Sequence, residues 1–139
     1  MRDQANSLTI RQVIAPGTYN DAGTTPWVGE IIDRQGYESL TYAIVTGTLS
    51  DANATYTALL QESDAANMDG AEAVADTDMI GTEAAAGFTF DNDDETRKIG
   101  YIGNKRYTQL TITPAGADDG DSPIAAVAIL GRPHNAPVA

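Results

Sequence analysis

The sequence predicts an all-β protein: an antiparallel β-sandwich of about eight short strands with jelly-roll-like connections. Three observations predict it. Apolar residues recur with a period of two rather than 3.6. The alternating runs follow one another at spacings of about 8–12 residues. Gly, Asp, Asn and Pro stand between them, where turns need them. The 139 residues, 42% of them hydrophobic, supply one core and are expected to form a single domain over 1–139.

Each element follows from its own pattern. Leu8 and Ile10 alternate with Thr9 and Arg11 before Val13 and Ile14, and Ala15-Pro16-Gly17 is expected to end that strand as a turn. Thr24-Thr25-Pro26-Trp27-Val28 reads as a short extended piece, which Pro26 confines to an edge or a strand start. Glu30-Ile31-Ile32-Asp33 reads as another, stopped by Gln35-Gly36. Leu40, Tyr42 and Ile44 share one face and Thr41, Ala43 and Val45 the other, so a central strand covered on two sides is expected.

Residues 47–53 read as a loop, and 56–62 resume the alternation with Tyr56, Ala58 and Leu60 on one side. Further strands are expected at 88–90, 96–102 and 107–113. In the last, Thr108, Leu110 and Ile112 alternate with a wet face of Gln109, Thr111 and Thr113. Gly103-Asn104 is expected as the hairpin turn between the last two. Residues 124–130 are apolar on both faces and are stopped by Gly131-Arg132-Pro133. Residues 63–87, rich in Ala and acids and cut by Gly70 and Gly81, read as an irregular excursion. A short strand at 71–74 and a helical turn at 82–86 are expected within it. Residues 1–7 and 132–139 are expected to be short flexible arms that order on binding.

Charge and residue usage narrow the function. Eight Lys and Arg against 20 Asp and Glu leave a net charge of −12, which repels nucleic acid and anionic membranes. With no Cys and one His, there is no thiolate nucleophile, no zinc knuckle and little material for a Ser-His-Asp triad. No enzyme, cofactor or metal is expected. The longest apolar run has seven residues, against the ~20 a spanning helix requires. No leader is expected, and the chain is read as made and kept in its producer's cytoplasm.

The acid clusters at 91–95 and 118–121 are fragments of a calcium loop, lacking its Gly at the sixth position and its Glu at the twelfth. They are read as turn chemistry. Gly100 and Gly103 lack the spacing of a phosphate loop. Between Arg34 and Arg97 lie 13 acids and no base, after which Arg97, Lys98, Lys105 and Arg106 form a local basic patch. That patch reads either as a local neutraliser or as a contact for an acidic surface on a neighbouring subunit. The aromatic side chains are read as core, except Trp27. Its exposed-looking segment suits a sugar platform or an interface anchor.

Five segments add a resemblance: 33–42 (DRQGYESLTY), 56–64 (YTALLQESD), 99–107 (IGYIGNKRY), 110–116 (LTITPAG) and 125–133 (AAVAILGRP). Together they resemble a family of small head proteins of tailed bacteriophages and prophages. The resemblance implies a virion protein on the capsid exterior, made in the bacterial host cytoplasm. Its role would be decoration or cement, its partner the major capsid protein, and its assembly a homotrimer. It carries over no binding residue. The interface residues expected on physical grounds are Arg2, Trp27, Arg97, Lys98, Lys105, Arg106, Arg132 and His134. Two alternatives stay open, a carbohydrate-binding module displayed on the virion with a glycan ligand, and a head–tail connector component.

Overall fold

Period-two alternation builds eleven strands in the computed structural model, which describes residues 3–19, 25–117 and 120–138. Six are long: β1 (Leu8–Thr18), β4 (Tyr37–Thr46), β5 (Thr55–Ser63), β9 (Thr96–Tyr101), β10 (Tyr107–Ala115) and β11 (Pro123–Pro133). Five are two-residue pieces: β2 (Trp27–Val28), β3 (Ile32–Asp33), β6 (Glu72–Ala73), β7 (Met79–Ile80) and β8 (Phe88–Thr89). The one α-helix among the described residues is α1 (Glu83–Ala86).

The strands pair antiparallel in two sheets. Sheet 1 runs β1-β11-β4-β9-β7. Sheet 2 runs β2-β10-β5-β6, with β3 also on β10 and β8 also on β5. Nearly every connection carries the chain from one sheet to the other. Among the described residues β5 and β6 are the one pair of consecutive strands that bond to each other. That interleaving is a jelly roll, and the all-β sandwich is observed as expected.

Alternation then fixes what is buried. Sheet 1 turns Leu40, Tyr42, Ile44, Ile99, Ala126, Ala128 and Leu130 inward. Sheet 2 answers with Tyr56, Ala58, Leu60, Thr108, Leu110 and Ile112. Each large apolar side chain removed from water contributes about 1.5–3 kcal/mol. The two polar atoms facing one another in this core satisfy each other, since the Tyr42 and Thr108 hydroxyls lie 2.6 Å apart across the sheets.

Three expectations need correction. Ala15-Pro16-Gly17 does not end β1, which continues to Thr18 through register shifts after Gln12 and after Ile14. Pro16 is tolerated because β1 is an edge strand whose bulge asks nothing of the missing N–H. Gly103-Asn104 is not a hairpin turn, because β9 lies in sheet 1 and β10 in sheet 2. Finally, β4 and β11 are central but covered on one side. Their outward residues are half-buried or, like Val45, 48% exposed.

Both seams of the sandwich are closed by short pieces of chain. On one, Gly29 donates to Leu110 O of sheet 2 (2.8 Å) and Glu30 to Val13 O of sheet 1 (2.9 Å). A Cβ on Gly29 would stand 2.5 Å from that Leu110 oxygen and 2.6 Å from Val13 Cγ1, so only glycine fits. The Ala- and acid-rich excursion closes the other. Val74 donates to Leu60 O (2.9 Å), and the Glu83 carboxylate accepts the Leu60 N–H (2.7 Å). The expected strand and helical turn are found there as β6 and α1, the latter capped by Thr82, which accepts from Ala85 N.

The end segments are tied to the fold. His134 donates its backbone N–H to Gly36 O (2.8 Å), and Val138 donates to Asn6 O (3.0 Å).

Candidate functional site

The residues expected at an interface do not form one patch. Arg2 lies outside the described residues, as do Asp118 and Asp119 of the second acid cluster. Trp27 is 7% exposed within a single chain, a correction to both readings of it. Its ring lies 4.8 Å from that of Tyr19 and 5.6 Å from that of Tyr56, which stacks on Phe88 at 4.6 Å. This column is core, held together by residues far apart in sequence, and no local signal in 24–28 marks it. The Trp27 Nε1–H finds no acceptor among the described residues.

The basic patch is also dissolved, because its members face different ways. Successive residues of a strand point to opposite faces, so Arg97 turns toward the core side beside α1 and Lys98 turns outward. Arg97 pairs with Glu95 at 2.6 Å. Lys105 meets Asp64 at 2.5 Å, and Arg106 holds Asp33 through two bonds of 2.9 and 2.8 Å. The Arg106 bonds hold the Asp33 carboxyl below its ordinary value, and the Asp64 bond raises the Lys105 ammonium. His134 Nε2 stands 2.5 Å from Glu38 Oε1. Lys98 and Arg132 make no ion pair among the described residues.

The loop that carries Lys105 is pinned from beneath. The Arg34 guanidinium donates to the Lys105 and Gly103 carbonyls (2.8–3.1 Å) and lies 4.5 Å over the Tyr101 ring. The Tyr101 hydroxyl donates to Glu62 and accepts the Lys105 N–H at 2.9 Å. Burial, then the Glu62 carboxylate, raises that phenol. Within the 91–95 cluster Asp93 accepts the Leu49 N–H at 2.7 Å and Asp91 accepts from the Thr89 hydroxyl, bonds that serve turns, while Glu95 pairs with Arg97.

What the structure does assemble is the outward face of sheet 1. The register places Ile10, Ile129, Thr41, Gly100 and Ile80 in one row across all five strands. Gln12, Val127, Ala43 and Lys98 form the next, and Ala125, Val45 and Thr96 a third. These rows hold no Asp or Glu in a chain of net charge −12. Ile10 is 65% exposed and Ile80 61%. Near β7 the face deepens into a groove of about 420 Å³ lined by Thr41, Ile80, Lys98, Ile102 and Arg132, with Glu38 at its margin. At the opposite end a shallower apolar depression of about 360 Å³ is lined by Pro16, Val45, Pro123 and Ala125. Of the expected residues, the structure brings together Lys98 and Arg132. The aliphatic rows between them went unread as a surface, though the two-sided apolarity of 124–130 was their signal.

The solved structures similar to this chain include a viral one and a prophage-derived one. The first is a chain of infectious bursal disease virus, Gx strain, with a TM-score of 0.52 at 11% identity over 91% of this chain. This chain spans 32% of that one, and the likeness is one of fold. The SPBc2 prophage-derived protein YomS has a TM-score of 0.44 at 15% identity, covering 90% of this chain and 95% of its own. The xylan-binding module CBM15 has a TM-score of 0.41 at 15% identity, covering 96% and 95%. The last two scores carry no argument. No protein-family model matches the chain, and no curated protein does.

Proposed function

We propose that the protein is a structural component of a phage virion, a decoration or cement protein. It sits on the capsid exterior as a homotrimer and strengthens the joints between major capsid protein subunits. The observation that carries this reading is the outward face of sheet 1, a largely apolar surface with Lys98 and no acid in its three rows, held by a sandwich whose two seams are both closed. A surface of that kind adds buried area where it lands, and buried area raises the work of pulling subunits apart.

Two further points support it. The five segments that carry the resemblance to phage head proteins fall largely on long strands of the framework, in β4, β5, β9, β10 and β11. The fold is also one that a chain of a virus particle uses. The carbohydrate-binding alternative loses its principal ring, since Trp27 lies in the core. The connector alternative differs by ring size.

The test is the solution mass of the purified protein by light scattering, followed by sedimentation with expanded phage shells. A trimer that pellets with the shells is the expected result. A protein that stays in the supernatant at every concentration ends this reading, and a ring larger than three directs it to the connector.

A further inference from the structure

We infer that the outward face of sheet 1 is a self-docking surface, and that its occupant is the Ala- and acid-rich segment 64–76 of a neighbouring copy. This names the contact within the oligomer proposed above, and rests on that reading only for its setting on a virion.

In a chain with 20 acids, the outward face of sheet 1 lacks carboxylates in its three rows, while Lys98 and Arg132 stand in its groove without an ion pair among the described residues. The complementary surface therefore carries carboxylates together with small apolar groups. Among the described residues, segment 64–76 is such a surface. In 64–76, Ala66 and Ala73 are exposed and Ala65, Met68 and Ala71 half-buried, interspersed with exposed Asp69, Glu72 and Asp76, none of which pairs with a cation among the described residues. Asp69 and Glu72 line an open cleft of about 420 Å³ beside Glu62 and Asp64, four carboxylates with Lys105 as the one cation among its lining residues, paired to Asp64. Lysine and arginine side chains of a second copy fit that cleft by charge and by reach.

The same charges exclude the simpler dimer. Stacking two sheet-1 faces about a two-fold axis sets two Lys98 and two Arg132 cations against aliphatic side chains, with only the two Glu38 carboxylates, each already held by His134, to meet them. The contact is accordingly heterologous, groove to segment. Heterologous contacts leave an open groove and an open segment on every chain end unless rotation closes a ring. Four long strands about 4.8 Å apart, with roughly six residues each at about 3.3 Å, give a face on the order of 400 Å². Each groove–segment junction therefore buries on the order of 800 Å² in total, about half a standard interface, and a closed ring gives every subunit two such junctions.

The experiment is a charge-reversal cycle on the full chain, read by light scattering and by sedimentation with expanded shells. Lys98→Glu with Arg132→Glu, and separately Glu72→Lys with Asp76→Lys, are each expected to reduce the mass to that of one 14.6 kDa chain. Mixing the two double variants is expected to restore association between unlike chains, because the reversed groove meets the reversed segment and the unaltered groove meets the unaltered segment, while a three-membered ring keeps one unmatched junction. Carbodiimide coupling of mixed ¹⁴N and ¹⁵N wild-type chains is expected to yield an inter-chain peptide joining Lys98 to 64–76. Wild-type mass in both double variants, with circular dichroism unchanged, overturns the inference. A groove variant that keeps its oligomer but no longer pellets with shells also overturns it, and assigns the face to the capsid instead. An oligomer that obeys the cycle yet ignores shells upholds the inference while the proposed function fails.

Discussion

The two sheets of this sandwich turn different faces to solvent although both are built from β-branched residues. Sheet 1 shows Ile10, Ile129, Val127 and Val45. Sheet 2 shows Thr113 opposite Thr57 and Gln109 opposite Gln61, with Thr111 buried between Leu59 and Val28. Strand propensity is similar for Val, Ile and Thr, so folding alone does not ask for methyls on one face and hydroxyls on the other. The hydroxyl face is stable in water as it stands, whereas the methyl face gains by being covered. The difference teaches that strand formation and surface chemistry are chosen separately, residue by residue.

The largest effect that tests this contrast lies within β11. Leu130 points into the core and Ile129 out, so Leu130→Ala should cost about 2–5 kcal/mol and Ile129→Ala under about 1 kcal/mol by urea unfolding of the monomer. Equal losses would show that the outward face is packed within the chain. Next comes the bond between the sheets. Tyr42→Phe leaves the Thr108 hydroxyl buried without its partner and should cost about 1–3 kcal/mol, more than removing an outward hydroxyl such as that of Thr113. A smaller change sharpens the comparison directly. Val127→Thr with Ile129→Thr should weaken self-association about tenfold or more while moving monomer stability by about 1 kcal/mol or less. Thr57→Val with Thr113→Val should leave association where it was.

The smallest effect belongs to neither face. Asp33 keeps its carboxyl below the ordinary value of 3.8 through Arg106, so its contribution is present at neutral pH and disappears as pH falls through the depressed folded-state value. The pair is half-exposed, so Arg106→Gln should lower stability slightly at pH 7 and not at all near pH 2. A deficit that persists at pH 2 would mean the arginine acts through packing on Tyr107, over which it lies at 4.9 Å.

The inward rows were legible because period two is a local property: Leu40, Tyr42 and Ile44 could be placed from their spacing alone. The excursion's strand and helical turn were legible for the same reason, and Thr82 is a local cap. What the sequence did not disclose depends on chain segments far apart. Trp27 is buried by Tyr19, Tyr56 and Phe88, and the basic residues after 97 are neutralised by Asp33 and Asp64, which no spacing rule connects to them. The Gly103-Asn104 corner carried a hairpin signal because a turn between sheets uses the same residue types as a turn within one. The candidate site was half visible. The apolarity of 124–130 on both faces was plain, but which side faces water is decided by the sheet opposite.

One feature of sheet 1 governs the order in which the molecule is made. Its second strand, β11, which lies between β1 and β4, is the last of the described strands in the sequence, and β1 pairs with nothing else in that sheet. Roughly a hundred residues separate the two, and a ribosome adding about 5–20 residues per second takes roughly 5–20 s to supply them. Through that interval β1 waits without its neighbour while β4 and β9 already have each other. The methyl-bearing face is thus completed only once β11 has been made, so copies whose synthesis has not reached it have no finished groove with which to capture one another.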